Sequence, residues 1–181
     1  MAKNISEKSS LWVERFLPHI KLGGNVLDLA CGRGRHSLRL HAAGYRVTAV
    51  DRDAEALAEI ARQAPAMHTR VADLEGADWP CPGSRFDAIV VTNYLHRPLF
   101  PCLLDALEAD GILIYETFMV GNERCGKPSN PEFLLRPGEL LDVVRGRLNV
   151  VAFEQGEVAM PRPAVVQRIC ATRRTEFALP D

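Results

Sequence analysis

With 181 residues, 47% of them hydrophobic and 25% charged, the chain is long enough for one domain with its own core and needs no disulfide or metal to hold it together. Its net charge of −1 excludes a global attraction to nucleic acid or anionic membrane. Five cysteines, Cys31, Cys81, Cys102, Cys125 and Cys170, are odd in number and form no Cys-x-x-Cys pair, which argues against a disulfide framework or a zinc site. Free thiols fit a reducing compartment. The polar start MAKNISEKSS lacks the apolar run of a signal peptide, and no apolar run reaches the length of a membrane span. Cytoplasm is therefore expected, with no membrane partner and no metal. Arg162, Arg168, Arg173 and Arg174 read as a solvated face, but they keep a nucleic-acid partner open. Nothing in the sequence sets an oligomeric state.

In chain order, a helix over residues 10–16 precedes a strand over 25–29. A glycine-containing turn leads to a helix over 37–43 and a β-branched strand over 46–50. Residues 54–63, AEALAEIARQ, hold strong helix formers throughout, with Asp53 as N-cap. Strands follow over 67–71 and 86–92, then a helix over 98–109 that Asp110-Gly111 can end, and a strand over 111–117. The strands over 86–92 and 111–117 are apolar on both faces, as strands covered by helices on both sides are. A helix over 137–145 opens on Pro137 and stops before Gly146. The strands over 148–154 and 165–173 have no helix between them and read as a hairpin. Alternating strands and helices predict one α/β domain over 1–181, doubly wound. Its seven-stranded sheet is mostly parallel, with one antiparallel strand from the C-terminal hairpin.

The first strand runs into Asp28-Leu29-Ala30-Cys31-Gly32-Arg33-Gly34-Arg35-His36-Ser37. Glycines there let the backbone turn sharply and approach a ligand, in the crevice beyond the carboxyl ends of the strands where such sheets bind ligands. The helix that follows directs free N–H groups at that crevice. Asp51 ends the second strand and Asp73 follows the third, so acids at successive strand ends converge on one place. A dinucleotide fingerprint wants a third glycine where Ser37 stands. Asp28 would repel a pyrophosphate but attract a ligand bearing an ammonium and a sulfonium.

At this point the sequence resembles the class I S-adenosylmethionine-dependent methyltransferases, whose Rossmann-like sheet also ends in a hairpin with a reversed strand. Asp28-Leu-Ala-Cys-Gly32-Arg-Gly34 is similar to their first motif, Asp/Glu-x-Gly-x-Gly-x-Gly, with Ala30 in place of the first glycine. A shorter match, Cys-Gly-Arg-Gly-Arg-His-Ser-Leu, is similar to the small tellurite- and thiopurine-type enzymes. The resemblance implies S-adenosylmethionine as cofactor and S-adenosylhomocysteine as product. It implies that backbone at Ala30, Cys31, Gly32 and Gly34 cradles the methionine part and that Asp28 binds its amino group. Asp51 would bind the ribose hydroxyls, Arg52 would flank the adenine, Asp73 would take its amine, and Leu74 would pack its ring. Asn93 would face the methyl donor, with Arg35 and Ser37 as carboxylate or turn contacts.

For catalysis, Asn93, Tyr94 and His96 are the candidates in the loop after the fourth strand. His96 has the type of side chain that serves as a base near neutral pH. A soft nucleophile would need no base at all. The stretch over 119–136 reads as irregular and long, which marks loops as functional or mobile, and it is expected to be a substrate lid. Trp12 and Arg15 are expected to close the cofactor pocket from the N-terminal side. A compact chain without an appended recognition domain points to a small-molecule acceptor. The alternatives are methylation of RNA or protein, a nicotinamide oxidoreductase, and an S-adenosylmethionine-binding protein without turnover.

Overall fold

The computed structural model describes residues 8–76 and 78–177. Residues 1–7, read above as no signal peptide, lie outside the described residues. Seven strands form one sheet in the order β3-β2-β1-β4-β5-β7-β6. They are β1 (Asn25–Leu29), β2 (Arg46–Asp51), β3 (His68–Val71), β4 (Phe86–Thr92), β5 (Leu107–Phe118), β6 (Asn149–Val158) and β7 (Ala164–Thr172). Pairing is parallel from β3 through β5. β7 inserts between β5 and β6, antiparallel to both.

Helices α1 (Leu11–Phe16), α2 (Arg35–Ala42), α3 (Ala54–Gln63), α4 (Phe100–Asp105) and α5 (Glu139–Val144) cover the sheet. Two large apolar clusters divide between its faces, one around Leu27, Ile89 and Tyr115, the other around Phe16, Val26 and Ile60. The central strands therefore read as unbroken apolar runs, because both of their faces are buried. Among the described residues, no helix is long and apolar enough to cross a membrane.

Local chemistry sets most boundaries. Ser10 caps α1 by accepting the N–H of Trp12, and Asp53 caps α3 by accepting those of Glu55 and Ala56. Gly34 (φ 76°) stands before α2 and Gly138 (φ 72°) before α5. These helices therefore start at Arg35, not Ser37, and at Glu139, not Pro137. The helix expected over 98–109 is split and shorter: a 3-10 turn over Arg97–Leu99 precedes α4, which ends at Asp105. Residues 107–110 belong to β5, because Phe86 donates to the Ala106 carbonyl and Leu107 pairs with Phe86. Sheet pairing there overrides the helix propensity of Leu107-Glu108-Ala109. The stretch over 119–136 carries more order than expected: 3-10 turns over Asn122–Arg124 and Pro131–Phe133, and a bridge between Met119 and Leu135.

Candidate active site

A cavity of about 320 Å³ opens at the carboxyl ends of the parallel strands. Its floor is the turn from β1 into α2. Ala30 adopts φ 55°, Gly32 φ 54° and Gly34 φ 76°. Gly34 has a second reason to be glycine: a Cβ there would lie 2.5 Å from Ile60 Cδ1 on α3. The turn is tied to β2 because Cys31 N–H donates to the Val50 carbonyl (3.1 Å) and Gly32 N–H to Asp51 Oδ2 (2.7 Å). Asp53 N–H holds the other Asp51 oxygen at 3.0 Å. Each carboxylate oxygen keeps a further lone pair, so Asp51 is fixed in place and can still accept from a ligand.

The cavity wall is chemically divided by strand order. On the β2–β3 side stand Asp51, Arg52, Asp73, Leu74 and Glu75. Asp73 accepts the Glu75 N–H, which fixes its side chain in a tight turn. On the β4–β5 side stand Asn93, Tyr94, Leu95, Thr117 and Phe118, roofed by Pro128 and Phe133. Among the described residues, no carboxylate, lysine, histidine or cysteine lines that second half. Ala30 and Asn93 (φ 56°) are the only non-glycine residues with positive φ among those described. Both line the cavity, at the ends of the adjacent strands β1 and β4. Such backbone is unfavourable and concentrates at ligand sites.

The other expected residues are placed as follows. Asp28 is buried beneath the turn, and burial pushes its carboxyl up to about 6 despite the hydrogen bond from the Ser37 hydroxyl. Ser37 is wholly buried on that bond, so its hydroxyl makes the turn contact, to Asp28, rather than facing the cavity. Cys31, Gly32, Gly34 and Arg35 belong to the turn that carries Ala30 to the cavity but do not line it. Burial pushes the Cys31 thiol far up, which leaves it inert. His96 precedes the 3-10 turn over Arg97–Leu99 and does not line the cavity. Tyr94 does, with its hydroxyl pushed up to about 12 by burial and then by Glu75 and Asp73. It stays protonated and cannot serve as a phenolate base at neutral pH.

Trp12 and Arg15 do not close the pocket. The Trp12 ring is 2% exposed, and its Nε1 donates to the Ile169 carbonyl. Arg15 and Arg168 lie 5.9 and 5.3 Å from the ring centroid. Arg15 pairs with Glu154, so both side chains pack on the β6–β7 hairpin. The same hairpin disperses the C-terminal arginines: Arg168 pairs with Glu116 and Glu154, Arg173 and Arg174 bond to carbonyls, and Arg162 lies over Phe118.

Sequence reasoning missed His36 and Arg97. His36 is buried, and its Nε2 accepts the Ser10 N–H (3.1 Å) while Nδ1 meets Thr92 Oγ1 (3.3 Å). Burial lowers its pKa to about 3, so it is a neutral strut between the start of α1 and the end of β4. Arg97 bonds in a fork to both Glu139 oxygens (2.7 and 3.0 Å) and donates to the carbonyls of Glu132 (2.8 Å) and Leu134 (2.9 Å). Neither His36, after the glycine turn, nor Arg97, before Pro98, carried a sequence signal for its role.

Residues 26–109 match the sequence profile of a methyltransferase domain. YqeM of Bacillus subtilis, named as a methyltransferase, is 30% identical over 120 residues, which are 58% of this chain and 45% of that protein. The tRNA U34 carboxymethyltransferase of Alcanivorax borkumensis is 30% identical over 123 residues, 62% of this chain and 38% of that protein. The chain thus spans less than half the length of these curated relatives. TehB from Haemophilus influenzae superposes with a TM-score of 0.75 at 19% identity, covering 90% of this chain and 61% of that one. A TehB-like S-adenosylmethionine-dependent methyltransferase from Corynebacterium glutamicum gives 0.66 at 21% identity, covering 92% and 90%. These likenesses establish the fold.

Proposed function

We propose that the chain is a class I S-adenosylmethionine-dependent methyltransferase, which binds S-adenosylmethionine in this cavity and methylates a small-molecule acceptor; the methyltransferase-domain profile over residues 26–109 and the shared fold support this. The observation that carries the reading is the division of the wall, with carboxylates on the β2–β3 side and an uncharged half on the β4–β5 side. The cofactor fits the first half. Asp51 accepts the ribose hydroxyls on its spare lone pairs, Arg52 and Leu74 flank the adenine, and Asp73 takes its amine. The positive-φ backbone from Ala30 to Gly34 lets the methionine part approach closely, and Asp28 attracts its ammonium from below. Coclaurine N-methyltransferase bound to S-adenosylhomocysteine and the glycopeptide N-methyltransferase MtfA complexed with sinefungin share the fold.

When bound, the cofactor supplies an electrophilic methyl group on a sulfonium. The chain's own residues then have two tasks: to hold the acceptor in line and to exclude water. Asn93 stands where the two halves meet. Because the β4–β5 half carries no ionisable base, the acceptor brings an atom that is already nucleophilic. His96 and Tyr94 are not needed as bases on this reading. A cytoplasmic setting belongs to the same proposal and rests on the unpaired cysteines.

Calorimetry tests the core of it. S-adenosylhomocysteine should bind, and Asp51→Ala should weaken binding by at least about tenfold, the loss of roughly one to two hydrogen bonds to a charged group. The variant should keep a cooperative melt. Binding of NAD(H) but not S-adenosylhomocysteine would overturn the assignment. Wild-type affinity in Asp51→Ala would remove the ribose role.

A further inference from the structure

Phe133 is 47% exposed, yet the backbone that carries it is firmly held within the loop over 119–136. It ends the 3-10 turn over Pro131–Phe133, whose cap Asn130 accepts the Glu132 N–H with its side chain and the Phe133 N–H with its carbonyl. The carbonyls on either side of it, from Glu132 and Leu134, both accept from Arg97. Arg97 is itself locked by the two-pronged ion pair with Glu139, which is buried. The loop is closed at its base by the Met119–Leu135 bridge. The buried Asn122 side chain, which donates to the Pro128 carbonyl and accepts the Val165 N–H, closes it again.

Single exposed apolar side chains are ordinary, but they are not ordinarily pinned from both flanks. Arg97 lies two residues beyond Leu95 of the opposite wall, so the same side chain fixes the spacing between the roof and the β4–β5 wall. Its charge is spent on Glu139 and on carbonyls, so it offers none to a ligand. The space below Phe133 is bounded by Leu95, Phe118, Pro128 and Tyr94. Rigid aromatic and apolar walls at a fixed separation favour a flat apolar body, since aromatic rings gain from offset stacking beyond the area they bury.

We infer that Phe133 is the residue that selects the methyl acceptor, and that the acceptor presents a small, flat, apolar body to a platform held in place by Arg97. Phe133 touches the acceptor; Arg97 is a positioning residue. This rests on the reading of the site as a methyltransferase centre.

The test uses the full chain saturated with S-adenosylhomocysteine and titrated with benzenethiol, cyclohexanethiol and 2-mercaptoethanol under reducing conditions. Wild type should bind benzenethiol several-fold more tightly than cyclohexanethiol and should bind 2-mercaptoethanol weakest. Phe133→Ala should lose about tenfold of the benzenethiol affinity and its preference over cyclohexanethiol, whereas Phe133→Tyr should keep both. Arg97→Lys should lose the preference while holding S-adenosylhomocysteine as tightly as wild type, which a general loss of structure would not allow. Equal binding of the three thiols by wild type, or unchanged benzenethiol affinity in Phe133→Ala, would overturn the inference. Failure of S-adenosylhomocysteine to bind wild type would instead sink the methyltransferase reading, and the same thiol series without it would still decide the role of Phe133.

Discussion

Asp28 lies buried at the end of β1, and burial pushes its carboxyl up to about 6. In the unfolded chain the group titrates near the ordinary value of about 3.9. The folded state therefore holds more protons between these two values, so the stability of the ligand-free protein falls as pH rises through that window and then levels off. Asp28→Asn keeps an oxygen for the Ser37 hydroxyl and removes the ionisation. Urea unfolding across pH 4 to 8 should show the variant more stable at the upper end, by on the order of 2 kcal/mol, and nearly flat through the window. Parallel slopes for both proteins would contradict this. Stability given up here is what a charge kept for a ligand's ammonium would cost, so the same variant should bind S-adenosylhomocysteine more weakly. Ala30 and Asn93 tell a similar story in the backbone. Each sits in a conformation costing about 1–2 kcal/mol for a residue with a Cβ, and both border the cavity.

At the scale of elements, the approach of α3 to the β1–α2 turn leaves no room at Gly34. Gly34→Ala should cost about 2–4 kcal/mol, from the positive φ and from a Cβ pressed on the buried Ile60. Paired with Ile60→Ala, the loss should be smaller than the sum of the two single losses, because both crowding atoms, Cδ1 and Cγ1, are gone. Strict additivity in thermal or urea melts would show that the φ alone sets the cost. The anchor of the loop over 119–136 titrates in the opposite sense to Asp28. Burial pushes the Glu139 carboxyl up, but the Arg97 fork and the Arg136 N–H outweigh it, and the net shift is downward. Its contribution is present above the ordinary glutamate range and is lost as pH falls through the lowered folded value. Glu139→Gln should loosen the loop over 119–136 by about 1–2 kcal/mol at neutral pH. Hydrogen exchange at the Val120 and Leu135 amides, which close the base of the loop, measures this. Unchanged protection would free the loop from the clamp.

Across the whole molecule, the cavity sits at the sheet's switch point, where β1 and β4 lie side by side and the chain winds outward in both directions. Strand order then assigns the chemistry, with acids borne by β2 and β3 to one side and uncharged residues borne by β4 and β5 to the other. The reversed β7 closes the second side. It also gives Glu116 its partner Arg168, and Glu116 in turn receives the Ser10 hydroxyl, which docks α1 on the carboxyl edge. Trp12 and Arg15 precede β1 in sequence, a position that points toward the ligand. That docking turns them to the far hairpin.

The sequence by itself determined the sheet, its reversed strand and the acid-lined half of the cavity. These are local matters: apolar runs mark buried strands, glycines mark a turn of positive φ, and an acid at a strand end needs only its strand to be placed. Asp51, Arg52, Asp73, Leu74, Asn93 and Tyr94 were legible for that reason. Only the tertiary structure decided that Ser37 faces Asp28, that His36 is a neutral strut, and that residues 107–110 open β5 instead of extending a helix. It alone brought Arg97 to Glu139 across 42 positions and set Phe133 over the cavity. Such contacts join segments distant in the chain, and no periodicity, cap or turn residue records which distant carbonyl a buried guanidinium will find.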